Sequence, residues 1–283
     1  MLWKGRRESS NVEDRRGVSG GQIAAGGGII GVLFILANVL LGDGDITDLA
    51  KAIPQGQQQS QALSPEEKAR EDERASFVKV VLADTEDVWD KLFAENGATY
   101  QKPTLVLFSG ATQSACGSAS AATGPFYCPG DNDVYIDLSF ADELKNRFGA
   151  AGDFALAYVV AHEVGHHVQF LMGTSDKMAR LRNQLTEVEY NRYSVRLELQ
   201  ADYYAGVWAH HNQKMKNVLV KEDIEEALNA ANAIGDDNLQ RQQTGTVQPD
   251  GFTHGTSEQR MYWFRKGFET GDLKQGDTFN SER

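Results

Sequence analysis

Residues 161–169 read Ala-His-Glu-Val-Gly-His-His-Val-Gln, inside an apolar stretch without proline from Phe154 to Met172. Such a stretch is expected to be a helix, with Asp153 as its N-cap and Gly173 as its stop. His162 and His166 then share one helical face, with Cβ atoms roughly 6 Å apart. Two imidazoles at that spacing can hold one Zn²⁺, and Glu163 beside them can serve as base for a water. Zinc in a reactive site takes three protein ligands and keeps one open position. The rest of the chain must therefore bring a third donor to this face.

Glu198-Leu199-Gln200-Ala201-Asp202 supplies one. It lies in a second helical stretch, about residues 191–211, and places two carboxylates at i and i+4 on one face. Glu198 can complete the ligand set. Asp202 can accept the second ring N–H of a ligand histidine and fix its tautomer. Leu197, Leu199, Ala201, Tyr203 and Tyr204 surround the pair with apolar bulk, which argues against a solvated acidic face.

Residues 1–42 contain five basic and three acidic side chains, and the chain as a whole carries −12. Everything after residue 42 is therefore strongly acidic, a poor partner for nucleic acid. No charge occurs between Arg16 and Asp43. The apolar residues from Ile23 to Leu41 approach the roughly 20 needed to span a bilayer core. Lys4, Arg6, Arg7, Arg15 and Arg16 precede them, while Asp43, Asp45 and Asp48 follow. That bias predicts a cytoplasmic tail at 1–22, a single-pass anchor in the lipid bilayer at 23–42, and the bulk of the chain outside. A cleaved signal peptide is the rival reading, but no small-x-small site closes the apolar stretch. Gly27 and Gly31 form a G-x-x-x-G through which two anchors could self-associate, although plain glycine richness explains it as well.

Cys116 and Cys128 are the two cysteines. In an exported domain they are expected to pair as a disulfide across their Gly/Ser/Ala-rich loop. Zinc ligation is the alternative, but no second Cys or His pair lies nearby to complete a tetrahedron.

Residues 43–75 read as a Gln-rich linker followed by a charged helix, opened by Ser64-Pro65-Glu66-Glu67 with a capping box. Phe77, Val80, Val81 and Trp89 begin the core of a domain at 76–283. Thr104–Phe108 and Val134–Phe140 are β-rich runs, and the sequence after Asp153 is helical apart from a loop at 240–255. Strands followed by a block of helices give an α+β class.

His-Glu-Val-Gly-His followed by Glu-Leu-Gln-Ala-Asp resembles the gluzincin class of zinc peptidases. More specifically, the chain resembles a bacterial, membrane-anchored family of neutral zinc metallopeptidases. Cys116–Asp131, Val134–Phe140 and His254–Arg260 carry the rest of the likeness, which covers about residues 77–268. It implies a zincin-like domain with a small sheet followed by a mostly helical half, hydrolysis of polypeptides, and a place at the bacterial inner membrane. It also implies a sheet edge beside the metal to which an extended substrate adds as a strand. Val134, Tyr135, Ile136 and Asp137 are assigned that role, with an ordinary core strand as the alternative.

Phe252-Thr253-His254-Gly255 through Arg260 resembles the Thr-His-Pro…Arg segment of membrane-embedded prenyl-protein proteases, with Gly255 in place of proline. His254 or Arg260 could therefore stabilise the oxyanion that forms when water attacks a carbonyl. Arg260 could instead simply pair with a carboxylate. His167, His210 and His211 are expected in surface or capping roles. The resulting expectation is a membrane-anchored zinc endopeptidase; a zinc-stabilised module that binds exported polypeptides is the rival. A base at Glu163 favours the enzyme, because a purely structural site does not need one.

Overall fold

The computed structural model describes residues 1–17 and 64–281. The Gln-rich linker, the apolar stretch at 23–42 and the Gly27/Gly31 pair lie outside the described residues. Among the described residues no helix is long and apolar enough to cross a membrane.

Helix α1 runs Pro65–Glu95 and starts as its capping box dictates. The Glu67 carboxylate accepts from the Ser64 N–H and the Ser64 hydroxyl accepts from the Glu67 N–H. Its first turns are solvated, and Phe77, Val80, Val81 and Trp89 enter the core.

Among the described residues six short strands are formed: β1 (Val12–Asp14), β2 (Thr104–Phe108), β3 (Ala111–Ser114), β4 (Gly117–Ser120), β5 (Phe126–Cys128) and β6 (Asp133–Asp137). One sheet has the order β1-β2-β6-β5, and β3 with β4 forms a separate hairpin. β1, β2 and β6 are parallel, while β5 is antiparallel to β6. Alternation along the strands sends Leu105, Leu107, Val134 and Ile136 to the helices. It sends Val106, Phe108, Cys128 and Tyr135 to a small second cluster on the far face. β6 lies between two partners and is not a sheet edge. Val134 and Tyr135 are paired on both sides, by β2 and β5, while Ile136 and Asp137 are paired by β2 alone. None of the four lines the cavity described below, which counts against Val134–Asp137 as the substrate strand.

The helical half comprises α2 (Phe140–Asn146), α3 (Asp153–Leu171), α4 (Thr174–Arg182), α5 (Glu187–Lys216), α6 (Asp223–Ala233), α7 (Asp236–Thr244) and α8 (Ser257–Thr270). The α+β expectation holds, but the loop expected at 240–255 begins inside α7. Helix α3 begins one position earlier than its sequence cap suggests. Gly152, at φ 120°, is the N-cap, and Glu226 of α6 accepts the Phe154 N–H. Helices α3 and α5 meet where Gly165 faces the Ala201 backbone; a Cβ there would lie 3.0 Å from the Ala201 oxygen. Helices α5 and α8 cross at Gly206 and Gly267 in the same way, backbone against backbone.

Met1–Arg16 is not a separate tail. It belongs to one compact unit with residues 70–283. β1 pairs in register with β2, and Trp3 packs edge-on against Phe77 at 5.4 Å. The basic residues that suggested a cytoplasmic tail are engaged inside this unit. Arg6 forks onto Asp84 at 2.6 and 2.8 Å, and Arg7 reaches Glu86 and Asp87. Lys4 pairs with Glu73, Arg15 with Glu13, and Arg16 with Asp14 and Asp72.

Candidate metal centre

The crossing at Gly165 brings the polar faces of α3 and α5 together. Ligand atoms of His162, His166 and Glu198 lie within 4.8 Å of one another. His162 Nε2 is 3.1 Å from one Glu198 oxygen, and His166 Nε2 is 3.4 Å from the other. The two rings are perpendicular, with centroids 4.8 Å apart.

Each ring is held by its other nitrogen. His162 Nδ1–H donates to Asp202 at 2.8 Å, as the spacing of the acidic pair predicts. His166 Nδ1–H donates to Gln169 Oε1 at 2.9 Å. Gln169 is fully buried and donates in turn to the Leu197 carbonyl and to Gln200. Sequence reasoning missed Gln169, although its place three residues after His166 on the same helix was a readable signal. Both Nε2 atoms thereby face Glu198, where a metal would take the place of the proton between ring and carboxylate. Two imidazoles and a carboxylate, each imidazole fixed by a hydrogen bond from its outer nitrogen, form a donor set that fits zinc.

The charges are balanced beneath the ligands. Asp202, completely buried, accepts from His162, from the Tyr158 hydroxyl at 2.6 Å, and from Arg260 at 2.9 and 3.0 Å. Burial opposes ionisation of Asp202, but Arg260 and His162 outweigh it and hold its pKa below the usual carboxylate range. For His162 burial likewise opposes the charge, and Asp202 and Glu198 outweigh it to raise the pKa. Metal binding must therefore displace a proton from this pair of rings and carboxylates. Arg260 is 2 % exposed, and its fork is occupied by Asp202 and Tyr158. Arg260 therefore pairs with a carboxylate through Nε and Nη2, while it also lines the cavity and its Nη1 meets only the Ile234 carbonyl at 3.4 Å.

His254 occupies a different position. It is half-exposed at a cavity of about 660 Å³ that also presents His162, Glu163, His166 and Glu198. Asp236, the first residue of α7, holds the His254 loop. One of its oxygens accepts the backbone N–H groups of Thr253, His254 and Gly255, and the other lies 3.2 Å from His254 Nδ1. The hydrogen bond to Asp236 raises the pKa of His254 and outweighs burial. Asp236 was not singled out from the sequence. It lies eighteen residues from His254 in an ordinary acidic pair, and only the fold joins them.

β5 forms a wall of the same cavity through Phe126 and Tyr127, whereas Val134–Asp137 do not reach it. Asp137 instead accepts the N–H groups of Gly110 and Ser139 in a turn. Cys116 and Cys128 are joined in a disulfide that ties the end of β5 to the β3–β4 hairpin. His167 is buried rather than superficial, between Tyr127 and the Gln101 carbonyl. His210 and His211 bond to the carbonyls of Phe268 and Gly271. None of the three belongs to the metal-ligand group.

Comparison with known proteins gives the family. A relative named uncharacterized protein YpfJ, from Escherichia coli strain K12, is 52% identical over 289 residues, which is 99% of each chain. Uncharacterized protein Rv2575 of Mycobacterium tuberculosis is 44% identical over 192 residues, or 64% of each chain. No solved structure matches the chain at a significant level. The family model described as putative neutral zinc metallopeptidase matches residues 1–279, spanning the arm, both ligand helices and the His254 loop. The chain belongs to that zinc metallopeptidase family.

Proposed function

We propose that the protein is a zinc-dependent endopeptidase acting on extended polypeptides. The observation that carries the reading is the convergence of His162 Nε2, His166 Nε2 and the Glu198 carboxylate in an open cavity that also contains Glu163. His162, His166 and Glu198 would hold the zinc, which when bound would supply Lewis-acid polarisation of the scissile carbonyl. Glu163 takes a proton from the attacking water and delivers it to the leaving amine nitrogen. His254, positioned by Asp236, donates a hydrogen bond to the carbonyl oxygen as negative charge develops there. Asp202 and Gln169 keep both ligand rings in the tautomer that exposes Nε2.

Substrate adds as a strand to the free edge of β5, the edge strand that lines the cavity. Backbone pairing of this kind needs no chain terminus, which favours internal cleavage. The Cys116–Cys128 disulfide supports a location outside the cytoplasm. In the full chain, Glu163→Gln is expected to keep zinc and fold while losing peptide hydrolysis by several orders of magnitude. Equal hydrolysis by the variant overturns the mechanism.

A further inference from the structure

β5 is three residues long and is bonded to β6 along one edge only. A strand this short is marginal by itself, and it is clamped from both faces. On the far face Phe126 stacks on Tyr135 with centroids 4.8 Å apart, and Cys128 is bridged to Cys116. On the helix face the Tyr127 ring lies edge-on to His167 at 5.3 Å, with its hydroxyl 3.1 Å from Nδ1.

His167 directly follows the ligand His166 on α3 and is 1 % exposed. Its Nε2 lies 2.5 Å from the Gln101 carbonyl oxygen. A carbonyl can only accept, so Nε2 carries the proton and Nδ1 is an acceptor. Tyr127 must then donate its single hydroxyl proton to His167. Asn132, 3.1 Å from the same hydroxyl, meets it with the amide N–H₂ side, an orientation fixed by the network and not by atom identity. One fixed imidazole thus joins the metal-bearing helix to the strand that forms the opposite wall of the cavity.

We propose that His167, acting through Tyr127, is a positioning residue for the polypeptide substrate. It sets the distance between the edge of β5 and the helix carrying His162, Glu163 and His166. A peptide added to β5 then presents its carbonyl at those residues. The inference rests on the reading that substrate pairs with β5. A buried histidine serving stability alone would hold any two elements; this one holds the two walls between which the peptide lies, and Tyr127 itself lines the cavity.

The test uses the full chain carrying Glu163→Gln, loaded with zinc. The probes are an octapeptide, the same octapeptide N-methylated at alternate amides, and a tripeptide too short to run along β5. Adding Tyr127→Phe, which removes only the hydroxyl, is expected to weaken octapeptide binding about three- to tenfold. Tripeptide and zinc affinities are expected to stay within about twofold. His167→Gln should give a similar loss, and the double variant no more than the larger single loss, because both remove one link. Unchanged octapeptide affinity in Tyr127→Phe overturns the inference. So does an equal loss for both peptides accompanied by weakened zinc binding, which is the signature of a merely structural role. Equal binding of methylated and unmethylated octapeptide to the parent refutes the strand-addition reading itself. Sensitivity to methylation without an effect of Tyr127→Phe refutes the role of His167 alone.

Discussion

Asp202 and Asp236 each hold a basic residue, and in different surroundings. Asp202 takes the guanidinium of Arg260 into a fully buried pair, whereas Asp236 orients His254 at the cavity and leaves it half-exposed. The two cations should therefore separate in experiment. His254→Ala is expected to lower kcat by about 10²–10³ with zinc and stability retained. Arg260→Ala takes the guanidinium from the buried Asp202, leaving it only His162 and Tyr158, at a cost of up to about 3–5 kcal/mol in chemical denaturation. If instead Arg260→Ala alone loses turnover while remaining stable, the roles are exchanged. The raised pKa of His254 gives the sign of the pH dependence. Its charged form is present below that pKa and is lost as pH rises through it, so turnover should decline on the alkaline side. Asp236→Asn should move that decline to lower pH. The metal ligands were legible because helical spacing alone puts His162 with His166 and Glu198 with Asp202. Asp236 was not, because its link to His254 exists only after α7 and the following loop fold back.

At the scale of elements, the crossing of α3 and α5 sets the separation of the ligands. Gly165 permits it, with the Ala201 backbone against its bare Cα. Gly165→Leu must push the helices apart; zinc affinity is expected to fall more than tenfold, with an overpacking cost of about 1–3 kcal/mol. Native affinity in that variant would show that the ligand geometry does not depend on this contact. The strand at 133–137 was recognisable from its β-rich residues, but its place in the sheet was not, since alternation carries no strand order. One hint was present. Val134 to Leu138 has little polar alternation, the pattern of a strand covered on both faces. β5 was missed because three residues amid glycine and serine give no periodicity, and its structure comes from the disulfide and the stacking of Phe126.

At the scale of the whole molecule, the N-terminal arm changes what counts as the domain. The charge pattern around the apolar stretch was read as a topology signal, yet Arg6 and Arg7 neutralise carboxylates of α1. Asp84 and Glu86 are 2 % and 1 % exposed, and the arm supplies many of their partners, including Ser9 and Asn11. Arg16 reaches Asp72 at 3.3 Å, so the arm ends against the beginning of α1. Removing residues 1–63 is expected to destabilise the domain by several kcal/mol, because buried carboxylates lose their partners. Replacing residues 18–63 by a flexible linker on the order of ten residues should preserve the melting temperature within a few degrees. Equal stability of the two shortened chains would show the arm to be dispensable. The central claim, one zinc on three named residues, is tested most directly by metal analysis of the full chain beside its Glu198→Ala and Glu163→Gln variants. One zinc per chain in the parent and in Glu163→Gln, with loss or marked weakening in Glu198→Ala, is the expected result. Undiminished zinc in Glu198→Ala, or none in the parent supplied with the metal, would contradict it.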